Sequence, residues 1–165
     1  MAGLDKNGVY EYLREKGVAF EITEHNALFH MGEDAGVEFP YPGCDAKNLF
    51  IRDKKKKQYF LITVKGDKRV DLKRFREEHG TRALTFASPE DLLSIMGLTP
   101  GSVTPFGLLN DEERKVDFYL DSDFFTGEGK IGVHPNDNTA TIWLDATDIE
   151  SIIKEHGNKV ERWEV

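Results

Sequence analysis

Apolar residues fall at two different spacings along this chain, and each change of spacing marks an element. Val9 and Leu13 share one face of an amphipathic stretch that Asp5 can cap and Gly17 can stop, which predicts a helix to about Lys16. Ala19 to Thr23 reads as a short strand. Residues 31–44 have neither period and predict an irregular loop with a helical turn near Glu33 to Val37; a loop this long in a small domain suits a lid or a binding loop. Two apolar runs, about 47–52 and 58–65, flank the turn Lys54-Lys55-Lys56-Lys57 and predict a hairpin. Asp71 to His79 predicts a basic helix stopped by Gly80, and Ala83 to Ala87 a strand. Ser88-Pro89-Glu90-Asp91 combines a capping box with proline at the first helical position, and that helix ends at Gly97.

Beyond Gly97 the pattern is mostly strand, over about 103–109, 115–121, 131–133 and 139–144. A last long helix begins at Thr147 and stops at Gly157, before a final strand over about 159–164. Strands outnumber helices and do not alternate regularly with them. The expected fold is therefore α+β: one domain spanning 1–165 with a mixed, strongly curved, barrel-like sheet flanked by helices. No repeat, linker or low-complexity tract divides it.

Bulk properties narrow the function classes. The largest apolar stretch, Tyr59 to Val64, is far short of a membrane span, and the N-terminus has no basic-then-apolar leader pattern. The single cysteine, Cys44, has no partner for an internal disulfide, and no Cys/His pair has zinc spacing. These features lead to the expectation of a cytoplasmic protein without membrane contact. The formal net charge is -8, but it is segregated. From Lys47 to Arg76 there are 12 Lys/Arg against three acids (Asp53, Asp67, Asp71), whereas the rest carries 10 basic and 27 acidic residues. Such asymmetry suggests a local anion-binding face on an acidic body, although a lysine-rich hairpin tip alone can be simply solvated.

Three short segments could carry chemistry. Lys47 opens an apolar strand and can deliver a compact charge into a partly dry site. Asn48 follows it, and strand alternation sends the two side chains to opposite faces unless the strand is irregular. Gly101-Ser102-Val103-Thr104-Pro105 starts with a residue that lets a ligand approach the backbone and ends with one that rigidifies the exit. Gly132-Val133-His134-Pro135 is a turn carrying an imidazole, after which Thr139 and Thr141 alternate onto one face. Each has an ordinary structural reading as well: a solvated lysine, a loop-to-strand entry, a structural histidine. His25 and His30 do not have helical metal-ligand spacing, so no metal is expected. Cys44 lacks a His/Asn arrangement that would mark a nucleophile, and neither a Gly-x-Ser-x-Gly elbow nor a P-loop is present.

In this order and at these separations, the three segments resemble the YbaK/ProX family, the trans-editing relatives of the bacterial prolyl-tRNA synthetase insertion domain. The resemblance extends over nearly the whole chain. It implies an aminoacyl-tRNA deacylase that hydrolyses mischarged tRNA(Pro), Ala-tRNA(Pro) first, with proline excluded by size. Lys47 would be the essential active-site residue, with the Gly101 and Ser102 amides as oxyanion donors. Asn48, Val103, Thr104, Pro105, Gly132, His134 and Thr139 would line the substrate site. Lys54, Lys55, Lys56, Lys57, Lys68, Arg69 and Lys73 would meet tRNA phosphates. No cofactor is implied, and a prolyl-tRNA synthetase is the expected transient protein partner. One departure stands out: where the family commonly has His-Pro and then a Thr-containing helix start, this chain reads His25-Asn26-Ala27-Leu28-Phe29-His30-Met31. That keeps Cys- or Ser-tRNA open as substrates. A catalytically silent tRNA-binding or regulatory module of the same fold is the alternative, opposed by the intact set of three segments.

Overall fold

Side-chain caps decide where the helices begin. In the computed structural model, which describes residues 4–25, 39–66 and 68–165, α1 spans Lys6–Glu15 behind Asp5, whose carboxylate accepts the Gly8 N–H at 2.8 Å. Asp71 caps α2 (Leu72–His79) through the Lys73 and Arg74 N–H groups. Ser88 caps α3 (Pro89–Met96), and α4 (Ala146–His156) follows β7 directly. Three of these helices stop on glycines in the left-handed region, Gly80, Gly97 and Gly157. The irregular segment expected at 31–44 lies outside the described residues as far as residue 38, as do His30 and the His25–Met31 departure beyond His25.

Eight strands are present among the described residues: β1 Glu21–Glu24, β2 Ala46–Asp53, β3 Tyr59–Lys65, β4 Leu84–Phe86, β5 Val116–Asp121, β6 Lys130–Val133, β7 Ala140–Asp145 and β8 Val160–Trp163. Five form a mixed sheet in the order β4-β2-β3-β5-β8, antiparallel across β4, β2 and β3 and parallel across β3, β5 and β8. The other three form an antiparallel sheet, β1-β7-β6. The two sheets meet at a parallel bridge between Asp45 and Gly132, where the Gly132 N–H donates to the Cys44 carbonyl at 2.9 Å. The α+β class stands, but the expected strongly curved, barrel-like sheet does not. Closure needs every edge paired, whereas β4 and β8 remain edges and β7 pairs with β1 and β6 in a sheet of its own.

Strand alternation gives the five-stranded sheet two apolar faces. Phe50, Leu61, Phe118 and Leu120 join the main core with Val9 and Leu13 of α1, Leu92 and Met96 of α3, Ile149 and Ile153 of α4, and Ile142 and Leu144 of β7. Ile51, Phe60, Ile62, Val64 and Tyr119 point the other way, onto Phe75 of α2 and Trp163.

The strand expected at 103–109 is instead a 3-10 helix, Pro105–Asn110. Thr104 caps it, its hydroxyl accepting the Phe106 N–H, and Pro105 occupies the first turn, where its missing N–H costs nothing. Apolar residues are continuous here because Phe106 and Leu108 are both buried in the tight turn. Gly132 has an equally local cause: a Cβ there would sit 2.3 Å from the Trp143 ring. Gly132→Ala is expected to push Trp143 out of place and destabilise the protein by about 1–3 kcal/mol. Urea denaturation with unchanged cooperativity and a lowered midpoint checks this.

Candidate active site

Two side-chain hydrogen bonds hold the Gly101–Pro105 loop. Asn48, near the start of β2, donates its Nδ2 to the Val103 carbonyl at 3.2 Å. Its amide is oriented by Thr63 of β3, whose hydroxyl donates to Asn48 Oδ1 at 2.6 Å. On the other side, the buried Thr104 hydroxyl donates to the His134 carbonyl at 2.6 Å, just past the end of β6. Segments around residues 48, 103 and 134 thus converge at the junction of the two sheets.

The loop offers backbone donors, although not the pair expected. The Ser102 N–H closes a turn on the Thr99 carbonyl at 3.1 Å, which removes it as an oxyanion donor. The N–H groups of Gly101, Val103 and Thr104 find no acceptor among the described residues. Gly101, with φ of 94°, sets the turn that presents them.

Lys47 and Asn48 diverge as strand alternation requires. Asn48 faces the loop; Lys47 leaves β2 on the α2 face, where its amine donates to the Lys68 carbonyl at 3.3 Å. The structure therefore brings Asn48 into contact with the glycine-started loop, while the Lys47 amine bonds on the opposite face of the strand.

His134 is 2% exposed, and its Nδ1 lies 2.9 Å from the Ala140 carbonyl. A carbonyl only accepts, so Nδ1 carries the proton of the neutral ring and Nε2 keeps its lone pair. Burial pushes the imidazole below its usual range; the Ala140 bond opposes this and nearby His25 adds to it. His134 is therefore a neutral acceptor at pH 7. The His25 ring lies 6.0 Å from it, and His25 Nε2 is 2.9 Å from the hydroxyl of buried Thr141. Thr139 precedes β7 and is held from three sides: Lys6 donates to its hydroxyl at 2.9 Å, that hydroxyl donates to Asp137, and its carbonyl accepts the His25 N–H at 3.0 Å. His25, Thr63 and Lys6 went unassigned as site residues in the sequence. Thr63 left a signal, as the one aliphatic hydroxyl inside the apolar run Tyr59 to Val64. A surface hollow of about 760 Å³, bordered by Leu4, Tyr12, Leu93 and Asn110, shares no lining residue with this constellation. No group of three or more His, Cys, Asp or Glu able to hold a metal occurs among the described residues.

The basic residues separate into free and engaged ones. Lys54 to Lys57 are exposed at the β2–β3 turn, about 20 Å from Lys47 at the usual strand rise. Fully buried Asp53 holds that turn by accepting the Lys57 N–H at 2.8 Å. Burial alone would raise its carboxyl, but the Lys57 and Gln58 N–H groups and Arg82 bring it below the usual range. Arg69 and Lys73 are exposed. Lys68, expected to meet RNA, is instead held between Asp121 at 2.8 Å and Asp123 at 2.6 Å, which neutralises its charge internally.

Residues 40–152 match the family model described as the aminoacyl-tRNA editing domain. The chain belongs to that family. An editing domain of this kind is a deacylase, cleaving the ester that joins an amino acid to tRNA. Within the family, the chain is 36% identical over 153 residues to the prolyl-tRNA editing protein ProX of Acetoanaerobium sticklandii, covering 93% of each. It is 33% identical over 162 residues to prolyl-tRNA synthetase associated domain-containing protein 1 of Bos taurus, covering 96% of this chain and 94% of that one. A crystal structure described provisionally as a trans-editing enzyme for prolyl tRNA synthetase superposes with a TM-score of 0.71 at 22% identity, over 97% of this chain and 96% of that chain; this likeness is one of fold. No helix among the described residues is long and apolar enough to cross a membrane.

The neutral His134 of this editing domain has a consequence for stability. Its folded pKa is depressed, so the unfolded chain binds the proton more readily. The stability it contributes is present above the unfolded value of about 6.5, begins to fall there, and is lost as pH drops through the depressed folded value, with a slope of at most about 1.4 kcal/mol per pH unit. Urea unfolding of the wild type between pH 7.5 and 5.5 is expected to show this fall, and His134→Gln a shallower one.

Proposed function

We propose that residues 1–165 work as one freestanding editing hydrolase that deacylates mischarged tRNA(Pro), Ala-tRNA(Pro) foremost. The observation that carries this reading is the convergence of Asn48, the Gly101–Pro105 backbone and His134 through the Val103 and Thr104 hydrogen bonds. It agrees with the printed names of the prolyl-tRNA editing relatives.

Water attacks the ester carbonyl, and the negative charge that develops on its oxygen meets the open N–H groups of Gly101, Val103 and Thr104. The tetrahedral intermediate then expels the ribose oxygen, which takes up the proton lost by the water. An aminoacyl ester is already reactive, so no strong protein base is needed; the adjacent ribose hydroxyl of the substrate assists the water. His134 Nε2 accepts a bond from that ribose. Lys47 attracts the terminal phosphate from the α2 side of the hairpin. Asn48 keeps the donor loop in place, and Thr63 keeps Asn48 in place. Alanine enters by virtue of its small methyl group, and the proline ring is refused by size. Lys54 to Lys57, Arg69 and Lys73 meet phosphates of the acceptor arm in contacts that weaken with salt. A prolyl-tRNA synthetase is the natural transient neighbour, since it releases the mischarged product.

A deacylation panel of Ala-, Cys-, Ser- and Pro-tRNA(Pro) tests the reading: release from Ala-tRNA(Pro) with Pro-tRNA(Pro) spared is expected, and release from none would end it. Asn48→Ala should lower kcat about 100-fold by freeing the loop. Lys47→Ala should lower kcat/KM about 10- to 150-fold, as befits one charge-assisted contact. Reversing the charges of Lys54 to Lys57 should raise KM and flatten its salt dependence while kcat stays put.

A further inference from the structure

Phe86 is the one aromatic residue among the exposed large hydrophobics of the described chain, with 59% of its surface open. It ends β4, the three-residue edge strand of the five-stranded sheet, and stands opposite Ile51 of β2. Its side chain therefore lies on the same face as Lys47, Leu49 and Ile51, the face on which α2 packs. Leu49, only partly buried, is its diagonal neighbour on β2. A single exposed phenylalanine is ordinary by itself. Its setting is less so, because basic groups bracket it along the hairpin. On one side the Lys54–Lys57 turn adjoins β4 directly, with the Lys54 N–H donating to the Ala83 carbonyl at 2.9 Å. On the other, Lys47 lies four residues along β2 from Ile51, about 13 Å away. Exposed Arg69, Lys73 and Arg76 lie just before and on α2, which packs on this face.

An open aromatic face set in a basic track is the arrangement that binds unpaired nucleic acid: cations follow the backbone while a ring stacks a base. We infer that Phe86 is a stacking platform for a nucleobase of the unpaired 3′ tail of the tRNA, upstream of the terminal adenosine. The spacing suits this: 13 Å from Lys47 is about four nucleotides at the stacked spacing of ~3.4 Å, and fewer in an extended strand. The inference rests on the editing function for the identity of the RNA, and it gives Phe86 a binding role remote from the chemistry.

The test is binding of uncharged RNA, which requires no catalysis. Two hairpins with one acceptor-stem sequence are compared by fluorescence anisotropy, one with an unpaired 3′ CCA tail and one blunt. The wild type is expected to bind the tailed hairpin more tightly. Phe86→Ala and Phe86→Leu should each lose about 5- to 150-fold in affinity for the tailed hairpin and nothing for the blunt one. Phe86→Trp should keep the preference. The leucine variant retains an apolar side chain at this edge, so loss of binding there reports the missing π-face rather than misfolding. Unchanged affinity in both variants, or equal loss on both hairpins, overturns the platform. Full retention by Phe86→Leu overturns it as well and makes the residue an apolar contact for a protein. Failure of the deacylase reading would appear separately, as no ester release from any aminoacyl-tRNA with the tail preference intact.

Discussion

The arrangement depends on a loop that cannot organise itself. Gly101–Pro105 contributes backbone groups to the site, and backbone donors stabilise developing charge only if they are aimed before the reaction starts. Two neutral hydrogen bonds supply the aim, Asn48 to Val103 from the five-stranded sheet and Thr104 to His134 from the three-stranded one. Each contributes only about 1 kcal/mol of net stability. Their value lies in position. The sheets touch at the Asp45–Gly132 bridge, and the loop is tied to both of them close to that contact. A shift of one sheet against the other would misdirect the donors before it cost much folding free energy.

Charge along the chain is used in two ways, and burial tells them apart. Asp53 and Asp121 are the best buried acids of the basic third and its surroundings, and each gathers donors: Asp53 the hairpin turn and Arg82, Asp121 the Lys65 N–H and Lys68. Those pairs shape the scaffold; an ammonium held by two carboxylates has little left for a phosphate. The residues that keep their field are Lys54 to Lys57, Arg69, Lys73 and Arg76, all exposed. A net charge of -8 is therefore compatible with an RNA-facing surface, because interactions fall off within about 10 Å at moderate salt and the acidic body acts mostly beyond that range.

Local signals in the sequence were reliable where one residue determines the outcome. Asp5 and Ser88 cap their helices as read, Asp71 caps the helix it was expected to begin, and Gly80, Gly97 and Gly157 end theirs, since those positions need a nearby acceptor or a positive φ and nothing distant. The run at 103–109 was misread because continuous apolar residues fit a buried 3-10 turn as well as a strand, and the deciding partners, Leu98 and His134, lie elsewhere in the chain. The division into two sheets was equally out of reach, because which strand pairs with β7 is settled by tertiary contact. At the site, alternation already forced Lys47 and Asn48 apart; only the packed structure could say which of them meets the loop.

The division of labour within the site follows from the chemistry of its ester. A substrate that is already activated leaves the protein two duties, placing the carbonyl against fixed donors and refusing the wrong amino acid. Neither demands a group with a finely tuned pKa, and the buried imidazole of His134 is shifted toward the neutral form by burial rather than poised to exchange a proton. On the proposed reading, a neutral imidazole suits a site beside the ribose hydroxyl: it would orient that hydroxyl without placing a positive charge among dry backbone groups. On the same reading the cations, Lys47 and the exposed lysines of the hairpin turn, stand apart from the donor loop, where water solvates them until tRNA phosphates replace it. Separating charge for affinity from neutral dipoles for the reaction would, on the proposed reading, ease product release, because the freed amino acid would be held by shape and hydrogen bonds rather than by an ion pair.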